Sequence, residues 1–155
     1  MITSAVQVYV DNSDSVAMVA YSSAMQIQGT TGDTSTMSIT RNSNDADGAI
    51  LTLNKARGTS AGASTVVADG DVVGVISFGA GDGTDVTSAV AAIRAKVGGT
   101  PGGNDTPGLF QFQTTPDGAD APTTKWQIAQ NGHFEPGTNN SFNIGGSSSK
   151  CANIY

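Results

Sequence analysis

The sequence has little of the material from which domains build a core or a charged surface. Its 155 residues include one cysteine, one tryptophan and one histidine, and only 13% of them are charged. A single cysteine, Cys151, excludes an intrachain disulfide and is interpreted as a buried or simply tolerated thiol. No apolar run reaches the roughly 18 residues of a transmembrane helix, so we expect no membrane insertion. The start of the chain lacks a basic segment followed by an apolar one, which predicts no signal peptide.

Basic residues are also scarce, with 7 Lys and Arg against 13 Asp and Glu and a net charge of -6. Nucleic-acid binding needs a basic stripe, so this class of protein is excluded. Glu135 is the only glutamate, and aspartate favours turns and caps over helix interiors. Large apolar side chains are few and glycines number 20. One chain alone would therefore bury a thin core, and we expect the protein to oligomerise.

What the sequence does contain is alternation of apolar and polar residues, which is typical of β-strands. The segment 72–78 is apolar on both faces, which predicts a strand buried on both sides. Turn-forming clusters such as Asn131-Gly132 separate the segments and predict hairpins. The predicted strands are residues 6–10, 16–21, 37–41, 50–55, 72–78, 109–115 and 123–129.

One segment, residues 85–97, has the spacing of a helix. Its apolar residues fall on one stripe at intervals of three and four, and a Gly-Gly pair follows. The fold class predicted is therefore mainly β with one short helix. We expect antiparallel strands and hairpins, intertwined or packed around a trimer axis.

Two loops resemble ligand sites at first sight. Ser43, Asp45, Asp47 and Asn54 fall at the spacing of a calcium loop, but its first and last positions lack carboxylates. We interpret that loop as an Asx-rich turn between two strands. Residues 79–85 run G-x-G-x-G rather than the dinucleotide pattern G-x-G-x-x-G, and are interpreted as a turn that leads into the helix.

Acid–base chemistry also has few candidates. Asp69 with Asp71, and Asp82 with Asp85, are carboxylate pairs, but pairs this close in sequence are typical of turns. His133 is the only histidine and follows a turn, and no G-x-S-x-G occurs for a serine nucleophile. We therefore predict no catalytic residue, no cofactor and no metal ligand, and expect the protein not to be an enzyme.

Ten short motifs, taken in their order and spacing, resemble a segment of bacteriophage tail fibres. The resemblance covers about residues 25–155, and residues 1–24 have no counterpart in it. Lys150-Cys151 departs from it, since family members commonly carry Arg-Trp there. The motifs are MQIQGTT (25–31), SITRNSND (38–45), LTLNKARGT (51–59), GDVVGVISF (70–78), DGT (82–84), AAIRA (91–95), GTPG (99–102), DTPG (105–108), FQTTPDG (112–118) and SSSKCANIY (147–155).

The resemblance implies a homotrimeric virion fibre that is assembled in the host cytoplasm. Its partners would be other virion proteins, of tail or capsid, and a host cell-surface glycan or protein. The implied organisation is an N-terminal β segment for anchoring or oligomerisation (1–24), a fibre β domain (25–135) and a polar C-terminal segment (136–155). In this family a self-cleaving intramolecular chaperone often follows. None follows Tyr155, so we expect a mature product, a fragment or a short fibre without one.

The expected function is host attachment by multivalent binding, in which several weak contacts add up. Trp126, His133 and Phe134 are the candidate receptor contacts because aromatic rings stack on sugars, although Trp126 also suits a core position. The alternatives are a polysaccharide depolymerase of a phage fibre, which needs two facing carboxylates, and a fibre or decoration protein attached to the capsid.

Overall fold

The computed structural model describes residues 27, 29–32 and 35–152, and the chain forms two compact units, Met1–Leu51 and Thr52–Tyr155. The described part of the first unit contains no strand, so the prediction of a strand at residues 37–41 is wrong for the single chain. It bends at residues 44–46, where Asp45 accepts hydrogen bonds from the Arg41 side chain (2.6 Å) and the Asp47 amide (3.1 Å). The predicted Asx turn is therefore present.

The second unit is a five-stranded antiparallel sheet in which each strand pairs with the next along the chain. Register shifts between Val72 and Gly74, between Phe78 and Gly79, and between Phe112 and Gln113 mark irregularities in the pairing. The mainly β class predicted from the sequence is confirmed. The strands are β1 (Val72–Ala80), β2 (Ser88–Val97), β3 (Gly108–Thr114), β4 (Thr123–Ile128) and β5 (Phe134–Pro136).

The turns between the later strands lie where the sequence predicts them. The Ala119 amide donates to the Pro116 carbonyl at 3.1 Å between β3 and β4. Between β4 and β5 the Gly132 amide donates to the Ala129 carbonyl at 2.8 Å. Gly132 has a φ of 82°, a value that favours glycine and explains the Asn-Gly pair at this hairpin.

The predicted helix over residues 85–97 is wrong, because this segment forms β2, which pairs with β1 on one side and β3 on the other. Its residues also alternate: Ala91, Ile93 and Ala95 lie on one face, and Arg94 lies on the other. Alanine favours helices, whereas valine and isoleucine favour strands. Hydrogen-bonded pairing with a strand on each side therefore outweighs the helical spacing.

Two further strand predictions are wrong for the single chain, and a third lies outside the described residues. Residues 50–55 form no strand, so the prediction of a strand there is wrong for the single chain. The prediction that 72–78 is buried on both sides is wrong, because β1 is an edge strand and Val75, Ile76 and Phe78 are 40%, 47% and 49% exposed. The predicted hairpin of residues 6–21 lies outside the described residues.

The core of the described chain is as thin as the composition predicts. Ala92 and Val97 are its buried apolar residues, and Gln113 is its buried polar residue. The division at residues 24 and 135, and the packing around a trimer axis, stay predictions. The described residues include no helix of the length and hydropathy needed to cross a membrane.

Candidate functional site: the apolar sheet face

The two faces of the sheet differ sharply in chemistry. Side chains alternate between faces along a strand, and residues paired across strands share a face. The register pairs Ile76 with Ile93, Ile93 with Phe112, and Phe112 with Trp126. We call this side the apolar face and define it by Ile76, Phe78, Ile93, Phe110, Phe112, Trp126, Ile128 and Phe134.

Aromatic rings form a continuous cluster across β3, β4 and β5. Phe110 and Phe112 meet edge to face with ring centroids 5.3 Å apart, and Phe112 meets Phe134 at 6.4 Å. Trp126 and Phe134 stack with centroids 4.9 Å apart and an interplanar angle of 6°. Such pairs add roughly 0.5–1.5 kcal/mol beyond the area that they bury. The cluster therefore stiffens this half of the face.

The apolar face is open to solvent in the single chain. Six of its eight residues are exposed, from 37% at Phe112 to 55% at Phe134. Monomeric proteins rarely expose apolar patches beyond a few hundred Å², and larger ones mark interaction surfaces. This face is therefore the strongest candidate for a functional surface among the described residues.

The opposite face carries a chain of hydrogen-bonded amides. Gln111 Nε2 donates to Gln127 Oε1 at 3.3 Å, and Gln127 Nε2 donates to Glu135 Oε1 at 2.9 Å. Gln113 Nε2 donates to Thr124 Oγ1 at 3.0 Å. We call this the polar face and define it by Ser77, Arg94, Gln111, Gln113, Gln127 and Glu135.

The polar face is more buried than the apolar face, which reverses the usual order. Gln113 is 6% exposed, whereas Arg94, Gln111, Gln127 and Glu135 are half-buried. Gln113 Oε1 and Arg94 Nε have no hydrogen-bond partner. The same face also carries two smaller apolar residues, Ala92, which is buried, and Val75, which is exposed.

The three candidate receptor residues from the sequence lie around the hairpin between β4 and β5, and in different settings. Trp126 and Phe134 belong to the apolar face, and Trp126 is half-buried by the stack. His133 is exposed in the turn, where its amide donates to Asn131 Oδ1 at 3.0 Å and its ring meets the Asn131 amide at 3.3 Å. The sequence indicated the ring types but not their separation into a face and a turn.

Sequence reasoning missed the aromatic partners on β3. Phe110 and Phe112 stand two residues apart in a predicted strand, which is the spacing of a shared face. That signal was available, and it would have linked them to each other. Their contact with Phe134 depends on the pairing of three strands, which spacing along the chain does not reveal.

The candidate carboxylate pairs are used as turn acceptors. Asp82 Oδ1 accepts from the amides of Thr84 (2.8 Å) and Asp85 (3.1 Å), and its Oδ2 accepts from Ser88 Oγ at 2.9 Å. These bonds to Asp85, Thr84 and Ser88 lower the pKa of Asp82. Asp85 in turn accepts from Thr87. The loop over residues 79–85 is therefore a hydrogen-bonded turn, and it leads into a strand rather than the helix predicted.

The other pair, Asp69 and Asp71, fixes the start of the sheet. Asp69 Oδ1 accepts from the Gly99 amide at 2.9 Å. Both oxygens of Asp71 accept from the Arg57 guanidinium, at 2.7 and 2.9 Å, and Oδ2 also accepts from the Ala68 amide. The hydrogen bonds from Arg57 and Ala68 hold the pKa of Asp71 well below its usual range. This pair of hydrogen bonds ties Arg57 to the residue directly before β1.

No group of three His, Cys, Asp or Glu residues in the described part of the chain is placed to hold a metal ion. Two open clefts of about 390 and 900 Å³ lie on the second unit, and neither is lined by a carboxylate. Cys151 is exposed, as a free thiol. The apolar face thus remains the leading site.

Comparison with known proteins gives a likeness of fold. No protein-family profile matches the chain, and no curated protein matches it. The carboxy-terminal domain of the bacteriophage T5 L-shaped tail fibre superposes with a TM-score of 0.66 at 20% identity, over 77% of this chain and 44% of that one. The same domain with its intramolecular chaperone gives a TM-score of 0.47 at 23% identity, over 72% and 32%.

The tail-fibre resemblance predicted from sequence motifs is thus confirmed at the level of fold. The chain spans less than half the length of either solved structure that it matches. At this identity the likeness concerns how the backbone is arranged.

Proposed function

We propose that this chain is a structural segment of a homotrimeric virion fibre, and that it contributes to attachment of a phage to its host. The observation that carries the proposal is the sheet with its apolar face exposed and its polar face half-buried. The fold it shares with a phage tail fibre domain supports the same conclusion. The role that we propose is structural rather than enzymatic, as the shared fold suggests.

Three copies can bury the apolar face that a single copy leaves exposed. If three sheets stand around one axis with the apolar face inward, the aromatic cluster becomes a shared core. The polar face, which is half-buried in the single chain, then forms the outer wall of the fibre. Burial of apolar area stabilises by about 25 cal/mol per Å², so several exposed rings per copy supply a strong drive to associate.

A charge placed on the apolar face tests the proposed trimer. We expect Phe112→Glu to abolish it, because three carboxylates would be brought together in an apolar core. Within one chain Phe112 is 37% exposed and its backbone pairs with both neighbours, so the sheet should persist. The measurement is native mass by light scattering, with circular dichroism as the check on folding.

Gln111→Glu is the matched control, since it places the same charge on the same strand but on the polar face. It should keep the mass of three chains. A wild-type mass of one chain, or a Phe112→Glu protein that stays trimeric, would contradict the proposed assembly.

Attachment to the host would then depend on the number of binding sites that act together. Each trimer presents three copies of the exposed turn with His133, and several fibres on one particle multiply weak contacts. In this arrangement Trp126 and Phe134 serve assembly, and His133 serves the receptor, a host cell-surface glycan or protein. The fibre would be assembled in the host cytoplasm and joined to tail or capsid by other virion proteins.

A further inference from the structure

The free edge of β1 has the properties of a sheet edge that can accept a further strand. β1 is nine residues long, lies at one edge, and its sequence VVGVISFGA contains no charged residue and no proline. Native proteins protect such edges with charge, proline or a covering segment, because an exposed edge binds other strands. The opposite edge, β5, is three residues long and ends at Pro136, so it is protected.

The outward groups of β1 follow from the hydrogen bonds at its start. Val97 donates to the Asp71 carbonyl (2.8 Å) and accepts from the Gly70 amide (3.0 Å), so both of its backbone groups face the β1 side. Backbone groups alternate in direction along an antiparallel strand, which places those of Ile93 on that side too. Ile76, paired with Ile93, therefore faces β2, and its neighbours Val75 and Ser77 point their N–H and C=O groups to the free edge.

A segment suited to that edge lies earlier in the chain. Residues 50–55 belong to no helix or strand, and within the described residues their backbone makes no hydrogen bond. Leu51 and Leu53 are 60% and 45% exposed and alternate with Thr52 and Asn54. The segment thus has one apolar side and one polar side, as each strand of the sheet does.

We propose that residues 50–55 of a second copy pair with the free edge of β1 as a sixth strand. The proposal rests on the proposed trimer and specifies how its subunits join. Leu51 and Leu53 would extend the apolar face beside Ile76, and Thr52 and Asn54 would extend the polar face beside Ser77. This pairing would supply hydrogen-bond partners for the outward backbone groups of β1 and for the backbone groups of residues 50–55.

Symmetry favours this segment over the other edges. A ring of three needs an interface between two different surfaces, whereas pairing of β1 with β1 would produce a two-fold dimer. β5 is a poor partner, because the proline at its end donates no hydrogen bond.

Proline substitutions at adjacent positions test the pairing. Ser77→Pro removes an outward N–H, a position where an edge strand tolerates proline, so the single-chain sheet should persist while the trimer is lost. Ile76→Pro is the matched control, because it removes an N–H that faces β2 and should reduce the β signal in circular dichroism. A Ser77→Pro protein that stays trimeric with an unchanged melting temperature would overturn the proposed pairing.

Cross-linking provides a second measurement that needs no proline. In a Cys151→Ser background, Ser77→Cys combined with Thr52→Cys should give covalent trimers on a denaturing gel after oxidation, and either change alone should not. Covalent dimers from Ser77→Cys alone would instead show β1 pairing with β1, and would overturn the proposal.

The native mass of the wild-type protein distinguishes failure of the proposed strand pairing from failure of the proposed trimer. If the wild type is trimeric but Ser77→Pro is also trimeric and the double cysteine variant does not cross-link, the pairing is wrong and the trimer stands. If the wild type is a monomer, the proposed trimer fails and the pairing fails with it.

Discussion

At the residue scale, Asp71 joins three separate stretches of chain. Its carboxylate binds Arg57 and the Ala68 amide, and its backbone carbonyl accepts from Val97 of β2. The Asp71 side chain is 14% exposed, whereas that of Arg57 is 51% exposed, so the carboxylate is the partner that loses most contact with water. These hydrogen bonds therefore stabilise its ionised form.

We expect the stability that Asp71 provides to depend on pH in a defined direction. Hydrogen bonds from Arg57 and Ala68 lower its pKa in the fold, whereas the unfolded chain has a pKa of about 3.9. A lowered pKa stabilises the fold above the unfolded value, and this contribution is lost as pH falls through the folded value. The melting temperature of Asp71→Asn should lie below that of the wild type at pH 6, and the gap should narrow below pH 4.

Asp120→Asn is the control for this prediction. Asp120 is exposed, and its carboxylate accepts no hydrogen bond from the described residues. Its substitution should leave the melting temperature unchanged at every pH. A gap for Asp71→Asn that is as large at pH 3 as at pH 6 would speak against the ion pair as its source.

Trp126 distinguishes assembly from receptor binding at the same scale. Trp126→Ala removes the stack on Phe134, and we expect it to weaken or abolish the trimer. His133→Ala changes an exposed turn residue seven positions later and should leave the trimer intact. Light scattering of both variants provides the comparison. A trimeric Trp126→Ala protein that no longer binds cells would assign the tryptophan to the receptor instead.

At the element scale, β2 shows the limit of predicting secondary structure from the sequence pattern of one segment. The apolar stripe of residues 85–97 satisfies helical spacing, and the same residues satisfy alternation because alanine fits either face. What decides the outcome is the presence of β1 and β3 on both sides, which one segment cannot reveal. The strands at 109–115 and 123–129 were predictable because aromatic alternation and turn residues agreed.

The unpaired segments carry the same lesson. Residues 37–41 and 50–55 alternate in sequence like strands, yet they form no strand in the single chain. Alternation therefore does not establish a strand by itself, because a strand also needs a partner to pair with. The same limit applies to the candidate site, where Phe134 was recognised as an aromatic near a turn while its contacts with Phe112 and Trp126 came from pairing.

Gly74 offers a test of how residues 52–57 are held. A Cβ at position 74 would lie 2.8 Å from the Leu53 Cβ and 2.9 Å from its Cδ1, so Leu53 would have to move away. Overpacking of this kind costs about 1–3 kcal/mol, so we expect Gly74→Ala to lower the urea midpoint of unfolding. Gly102→Ala is the control, since a Cβ there meets nothing within 4 Å. Equal midpoints for both variants would refute the contact.

At the scale of the whole molecule, the distribution of polarity explains the composition. Few large apolar residues occur, yet most of those in the sheet gather on one face, and the chain covers that face poorly. A fibre of three chains needs only one apolar face per chain, because each copy completes the core of the others. Low charge and abundant small polar residues then suffice for the outer wall, where amide pairs such as Gln111 with Gln127 provide hydrogen bonds.

The number of binding sites in one trimer leads to a prediction about attachment to host cells. If three weak sites act together, the wild-type trimer should bind a susceptible bacterial strain roughly 10²–10⁴ times more tightly than the Phe112→Glu monomer. The measurement is binding of fluorescently labelled protein to a panel of bacterial cells. Gln111→Glu should match the wild type, and a trimeric His133→Ala should bind less tightly than it. Equal binding by monomer and trimer would show that one copy carries the whole affinity, and attachment would then owe nothing to assembly.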